Sequence, residues 1–235
     1  MCYWRKRGEP RGSTYFICRT PGQSIRLLTE YFYSFLGDDD MEQVRQCRNV
    51  AILIYENVEP LDFVGPFEVF ITASNRGRDF KVYTVAQWNS PVRAIGSLSI
   101  NPNYTLDTCP KPDILVIPGG WGSRKEMLNE SLTTWIKETS NDVEIVLSVC
   151  TGALILAKAN LLDGLKVTTN RSAIHELKEV VPSSTEIVPE ARFVDNGKMV
   201  LSAGVSAGID ASLYVVGKLL GEERAKNTAM IMEYD

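Results

Sequence analysis

Continuous apolar runs, rather than strict alternation, mark the strands of this chain. Asn49-Val-Ala-Ile-Leu-Ile-Tyr55, Asp113-Ile-Leu-Val-Ile-Pro118 and Glu144-Ile-Val-Leu-Ser-Val149 are short and rich in β-branched residues. Such runs predict strands buried on both faces, as in parallel sheets. Phe80 to Ala86 predicts another strand, and Lys166 to Thr169 a short one. Between them the apolar period becomes helical. Pro60 to Ser74 predicts a helix with Pro60 in its first turn and Leu61, Val64, Phe67, Val69 and Phe70 on its apolar side. Further helices are predicted over Leu128 to Thr139, Ala153 to Ala159, Ser172 to Val180 (capped by Ser172), Ser206 to Leu220 and Glu222 to Met232. Gly164 is expected to end the segment after Ala159. Val92 to Ile100 predicts a small hairpin or bent strand around Gly96, and Phe193 to Val200 a hairpin turning at Asn196-Gly197. Strands alternating with helices predict an α/β domain whose mostly parallel sheet is covered on both faces.

The first 48 residues lack this regularity. Arg5, Lys6, Arg7, Arg11, Arg19 and Arg26 face a single acid, Glu9, and an amphipathic stretch Ile25 to Leu36 follows. A basic, acid-poor start fits a transit peptide and would place the protein in an organelle. Pro10, Gly12, Pro21 and Gly22 interrupt any long targeting helix, which favours a poorly ordered extension or initiation at Met41. The expected organisation is an extension over 1–48 and one domain over 49–235.

Composition narrows the chemistry. The net charge of -4 argues against a nucleic-acid partner, which selects a basic face. No apolar run approaches the roughly 18 residues that span a bilayer, so no membrane partner is expected. The five cysteines are odd in number, widely spaced and form no Cys-x-x-Cys, a poor basis for disulfides or zinc. Free thiols in a reducing, cytoplasmic setting are expected. The single histidine, His175, excludes any mechanism that needs two. No Walker loop and no Gly-x-Gly-x-x-Gly follows the first strand, so neither a nucleotide cofactor nor a metal is expected.

Cys150 is the strongest candidate for chemistry. A buried strand runs into it and a helix starts after it, with Gly152 permitting a tight turn. This is the pattern of a nucleophile elbow, which lifts one side chain above the carboxyl end of a sheet. The positive end of a helix dipole at that place would favour thiolate. Cys2, Cys18, Cys47 and Cys109 lack such a context and read as ordinary thiols. Gly119 and Gly120 end a strand, and their N–H groups, with that of Thr151, are candidates for contacting a reacting atom. The glycines also suit a turn with unusual backbone angles. The Thr151 hydroxyl is a candidate for substrate or water, or for capping the helix.

Ser148-Val-Cys-Thr-Gly-Ala153, Leu61-Asp-Phe-Val-Gly-Pro66 with Glu68-Val-Phe70, and Ile117-Pro-Gly-Gly120 together resemble the ThiJ/PfpI family of the class I glutamine-amidotransferase-like superfamily. Val167-Thr-Thr-Asn170 and Ser202 to Asp210 add to the likeness, which covers about Asn49 to Met232. Within the family the chain is most similar to the isocyanide (isonitrile) hydratase branch. That resemblance implies a flavodoxin-like three-layer α/β/α sandwich, a homodimer, a small-molecule substrate, Cys150 as nucleophile and Asp62 as the acid beside it. Asp62 also has a case of its own. It lies one turn into the helix after the first strand, near the strand-carboxyl ends, where burial and a neighbouring thiolate would hold it protonated. An acid in a first helical turn also simply favours the dipole.

The resemblance implies a thiolate attacking the isocyanide carbon, Asp62 protonating or positioning the imidate, and water releasing an N-substituted formamide. Two alternatives accompany it: glyoxalase or deglycase chemistry, whose relatives usually carry Glu at the place of Asp62, and a non-enzymatic redox sensor or ligand-sensing domain. Family proteases use a His directly after the nucleophile, where this chain has Thr151, and many relatives have His where it has Asn170. His175 is therefore expected to be structural or at the surface. Glu68 and Asp210 read as ion-pairing or helix-start residues. Trp121 is expected to wall the pocket or to join the core.

Overall fold

The computed structural model describes residues 47–235. The expected extension over 1–48 therefore lies almost wholly outside the described residues. In chain order the elements are β1 (Arg48–Leu53), α1 (Pro60–Ala73), β2 (Phe80–Ala86), β3 (Val92–Arg93), β4 (Ser99–Ile100), β5 (Tyr104–Thr105), β6 (Ile114–Ile117), α2 (Ser123–Glu126) and α3 (Glu130–Asp142). Then come β7 (Ile145–Val149), α4 (Gly152–Lys158), β8 (Lys166–Val167), α5 (Ile174–Val180), β9 (Glu186–Ile187), β10 (Phe193–Asn196), β11 (Met199–Ser202), α6 (Ala207–Leu220) and α7 (Glu222–Ile231).

The seven-stranded main sheet has the order β10-β11-β7-β6-β1-β2-β5. Only the β10–β11 hairpin is antiparallel; the other pairings are parallel. Helices α1, α6 and α7 pack together, and α2, α3, α4 and α5 form a second group. The sheet lies between these two layers, because its central strands have no solvent face. β6 and β7 are buried at every residue, which is why their sequences are continuous apolar runs. Phe70 of α1 meets Phe80 of β2 edge to face at 5.2 Å. Each is almost fully buried, a burial worth roughly 2–3 kcal/mol per ring.

Some boundaries differ from expectation, for local reasons. The helix expected from Leu128 starts at Glu130, because Asn129 is its cap and accepts from the Leu132 N–H. The helix expected from Ser172 opens with a 3₁₀ turn, Arg171–Ala173, capped by Asn170, which accepts from the Ser172 N–H; α5 proper starts at Ile174. α4 ends at Lys158, with Asn160 at φ 58° taking the left-handed position assigned to Gly164. β5 and β9, two residues each, were not expected. No described helix is long and apolar enough to cross a membrane.

Candidate functional site

The carboxyl ends of β1, β6 and β7 converge on one place, which is where open parallel sheets bind ligands. β7 delivers Cys150, which adopts φ 55°. This strained left-handed backbone at a non-glycine residue is the mark of an elbow. The elbow is pinned on both sides: the Cys150 N–H donates to the Ser202 carbonyl at 3.0 Å, and the Thr169 hydroxyl donates to the Cys150 carbonyl at 2.8 Å. Two glycines make room. A Cβ on Gly152 would overlap the Ile117 carbonyl oxygen, and one on Gly204 would overlap Cβ of Cys150. The thiol residue is 6% exposed.

β1 leads through a short loop into α1, whose first turn carries Asp62. Pro66, four residues on, lacks the N–H that would bond to the Asp62 carbonyl. The Asp62 side chain is fully buried. Its Oδ2 accepts the Gly119 N–H at 3.1 Å, whereas Oδ1 has no hydrogen-bond partner among the described residues. No bond of ordinary length joins Oδ1 to the thiol, yet the two groups are close enough to govern each other's ionisation. Burial is the main cause that pushes the Asp62 carboxyl up to about 7, with the Glu59 charge adding to it; the Cys150 side chain and the Gly119 N–H pull the other way. Burial first, and then the Asp62 charge, push the thiol up to about 12, against the Thr151 N–H and the Asn170 side chain, which favour thiolate. The pair thus gains its first negative charge near neutral pH and its second far above. The expectation that a helix end would leave Cys150 as a ready thiolate is corrected here: desolvation outweighs the short helix α4.

Gly119, Gly120 and Thr151 all lie at this place. Both glycine N–H groups are committed within the chain, that of Gly119 to Asp62 and that of Gly120 to the Thr151 hydroxyl at 3.0 Å. The buried Thr151 hydroxyl also bonds to Ser123 at 2.9 Å and caps no helix. In this geometry the glycines and Thr151 hold the acid and the elbow in place, and the Thr151 N–H favours the thiolate form of Cys150.

Two residues of the site were not anticipated. The Asn170 side chain favours the thiolate form of Cys150, while its Oδ1 accepts from the N–H and hydroxyl of Ser172. Since those bonds occupy the oxygen, its NH₂ is the group left to favour the thiolate. The one clue was the departure from His at that position. Arg124 pairs with both carboxylate oxygens of Glu176 at 2.8 Å and donates to the Gly120 carbonyl at 3.2 Å. It ties the glycine loop to α5, the helix that follows Asn170.

The remaining candidates lie elsewhere. The His175 side chain is 87% exposed and contacts Glu179 one turn on. Glu68 accepts from Thr72, and Asp210 pairs with Arg192. Trp121 is 73% exposed, with the Arg124 guanidinium over its ring, so it is not core. Among the described residues no group of His, Cys, Asp and Glu is arranged to hold a metal ion.

The DJ-1/PfpI family profile matches residues 48–218. The chain belongs to the DJ-1/PfpI family. Isonitrile hydratase of Pseudomonas putida is 31% identical over 79% of this chain and 78% of its own length. A ThiJ/PfpI family protein from Pseudomonas syringae superposes with a TM-score of 0.74 at 31% identity, covering 84% of this chain and 80% of that one. The transcriptional regulator CdhR of Pseudomonas aeruginosa is 25% identical over 74% of this chain, which spans 51% of the regulator. The family and its flavodoxin-like fold agree with the resemblance read from the motifs.

Proposed function

We propose that this DJ-1/PfpI domain is a cysteine-dependent enzyme that hydrates isocyanides to N-substituted formamides. The observation that carries the reading is the fully buried Asp62 carboxyl beside the elbow thiol, with one oxygen unbonded and ionisation centred near 7. A group poised there both takes and returns a proton at neutral pH. As carboxylate, Asp62 accepts the Cys150 proton while sulfur forms a bond to the terminal isocyanide carbon. It then returns that proton to the same carbon, leaving a thioimidate, R–N=CH–S–Cys150. Water adds to this carbon and the nitrogen gains a proton. The C–S bond breaks, releasing R–NH–CHO and restoring the thiol. The likeness to isonitrile hydratase supports the same reading.

A redox-sensing function is the weaker alternative, because peroxide reacts with thiolate and this thiol is held protonated. A homodimer is part of the proposal, supported by the exposed apolar residues Leu61, Val64 and Ile71 on α1 beside Asp62. The functional test is turnover of an aryl isocyanide, followed as formamide, by the wild type and by Cys150→Ala. Turnover by the wild type alone supports the reading. No turnover, or equal turnover by the variant, overturns it.

A further inference from the structure

A second site lies on the other side of Tyr55. A cavity of about 150 Å³ opens at the carboxyl ends of β1 and β2, with Leu53, Ala86, Val92 and Leu132 among its apolar walls. Cys150 and Asp62 do not line it. Tyr55 separates the two places, its hydroxyl turned away to donate to the Pro118 carbonyl at 2.7 Å.

Two polar side chains in this cavity are held by one residue. The Asn129 NH₂ donates to Glu126 Oε2 and to Gln87 Oε1, each at 2.9 Å. Its orientation is not free to flip, because its oxygen accepts the Leu132 N–H at the start of α3. That bond forces Gln87 to present its oxygen to Asn129, which leaves Gln87 Nε2 as an unused donor. Glu126, only 8% exposed, keeps Oε1 as an acceptor with no hydrogen bond among the described residues. A free donor and a free acceptor, on two lining side chains held by one amide among apolar walls, suit a small-molecule pocket.

We propose that this cavity binds a small carboxamide. A primary amide displays an N–H and a C=O on the same edge, which matches Glu126 Oε1 and Gln87 Nε2 respectively. An amine leaves the Gln87 donor unanswered, and a carboxylate sets its charge against Glu126 and Glu56 with Lys125 as the single lining cation among the described residues. The volume is close to that of cavities that admit one benzene ring, so the ligand carries roughly six heavy atoms. The site is independent of the reaction proposed for Cys150.

The test is a titration of the full chain, and of Cys150→Ala, with isobutyramide, isobutylamine and isobutyrate. Backbone amide shifts are followed by NMR at Ala86 to Trp88 and Glu126 to Leu132. Isobutyramide is expected to saturate these shifts at about millimolar concentration, equally in both proteins. Gln87→Leu, at a half-buried position, is expected to weaken binding about tenfold with the fold intact. Absence of saturable shifts at these residues, equal binding of the amine or the acid, or an unaffected Gln87→Leu would each overturn the proposal.

Discussion

Asp79 and Asp62 are both withdrawn from solvent, at 6% and 0% exposure, but only Asp79 has a cation. Arg224 of α7 reaches it at 2.5 Å and also donates to the Ala73 carbonyl at 2.7 Å. That arrangement ties α7 to the end of α1 and to the turn before β2. Asp62 has one backbone N–H, an unbonded oxygen and a thiol. The first carboxylate is compensated and serves the fold. The second is left without a cation at the carboxyl end of the sheet, and its burial there is what moves its ionisation to neutral pH.

Removing the cation from the compensated site gives the largest effect. Arg224→Met leaves Asp79 buried and unpaired, and is expected to cost about 3–5 kcal/mol. In a domain of this size that lowers the melting temperature by roughly 10 °C. Adding Asp79→Leu to the same chain is expected to recover most of the loss in urea denaturation.

At Asp62 the sign reverses. A carboxyl whose folded-state pKa lies above its unfolded value holds its proton more tightly when folded. Stability is therefore lost as pH rises from about 4 to about 7, and is flat above until the thiol titrates. Asp62→Asn removes this penalty. It is expected to stabilise the protein by about 4 kcal/mol at pH 8, with the gain vanishing toward pH 4. The same variant is expected to alkylate Cys150 faster, since the Asp62 charge raises the thiol, and to lose about 100-fold or more in turnover.

The smallest effect is at the clasp. Arg124 and Glu176 are part-exposed, and a double-mutant cycle with Arg124→Gln and Glu176→Gln is expected to give a coupling of about 1 kcal/mol.

The same contrast explains what the sequence disclosed. β2 was readable to the residue, Phe80–Ala86, because burial on both faces leaves an unbroken apolar signature. The elbow was readable because strand, cysteine, threonine and glycine are adjacent in the chain. Asp62 was readable from its place after the first strand and from the family motif. Asn170 and the Arg124–Glu176 clasp were not, since each works through distant partners, 52 positions apart for the clasp, and neither perturbs a local period. The commitment of the Gly119 and Gly120 N–H groups was equally hidden: a glycine pair announces a turn but not the acceptor its N–H groups will find. Helix starts were misplaced where asparagine at 129 and 170 took the cap.

The central claim is that Asp62 shares its ionisation with Cys150 and titrates near neutrality. Carbon-13 NMR of the Asp62 carboxyl across pH 3 to 9 tests it most directly, in the wild type and in Cys150→Ala. A midpoint near 7 is expected in the wild type, moving upward once the thiol that stabilises the carboxylate is removed. A midpoint near 4 in both proteins, the ordinary value of an exposed aspartate, would contradict it.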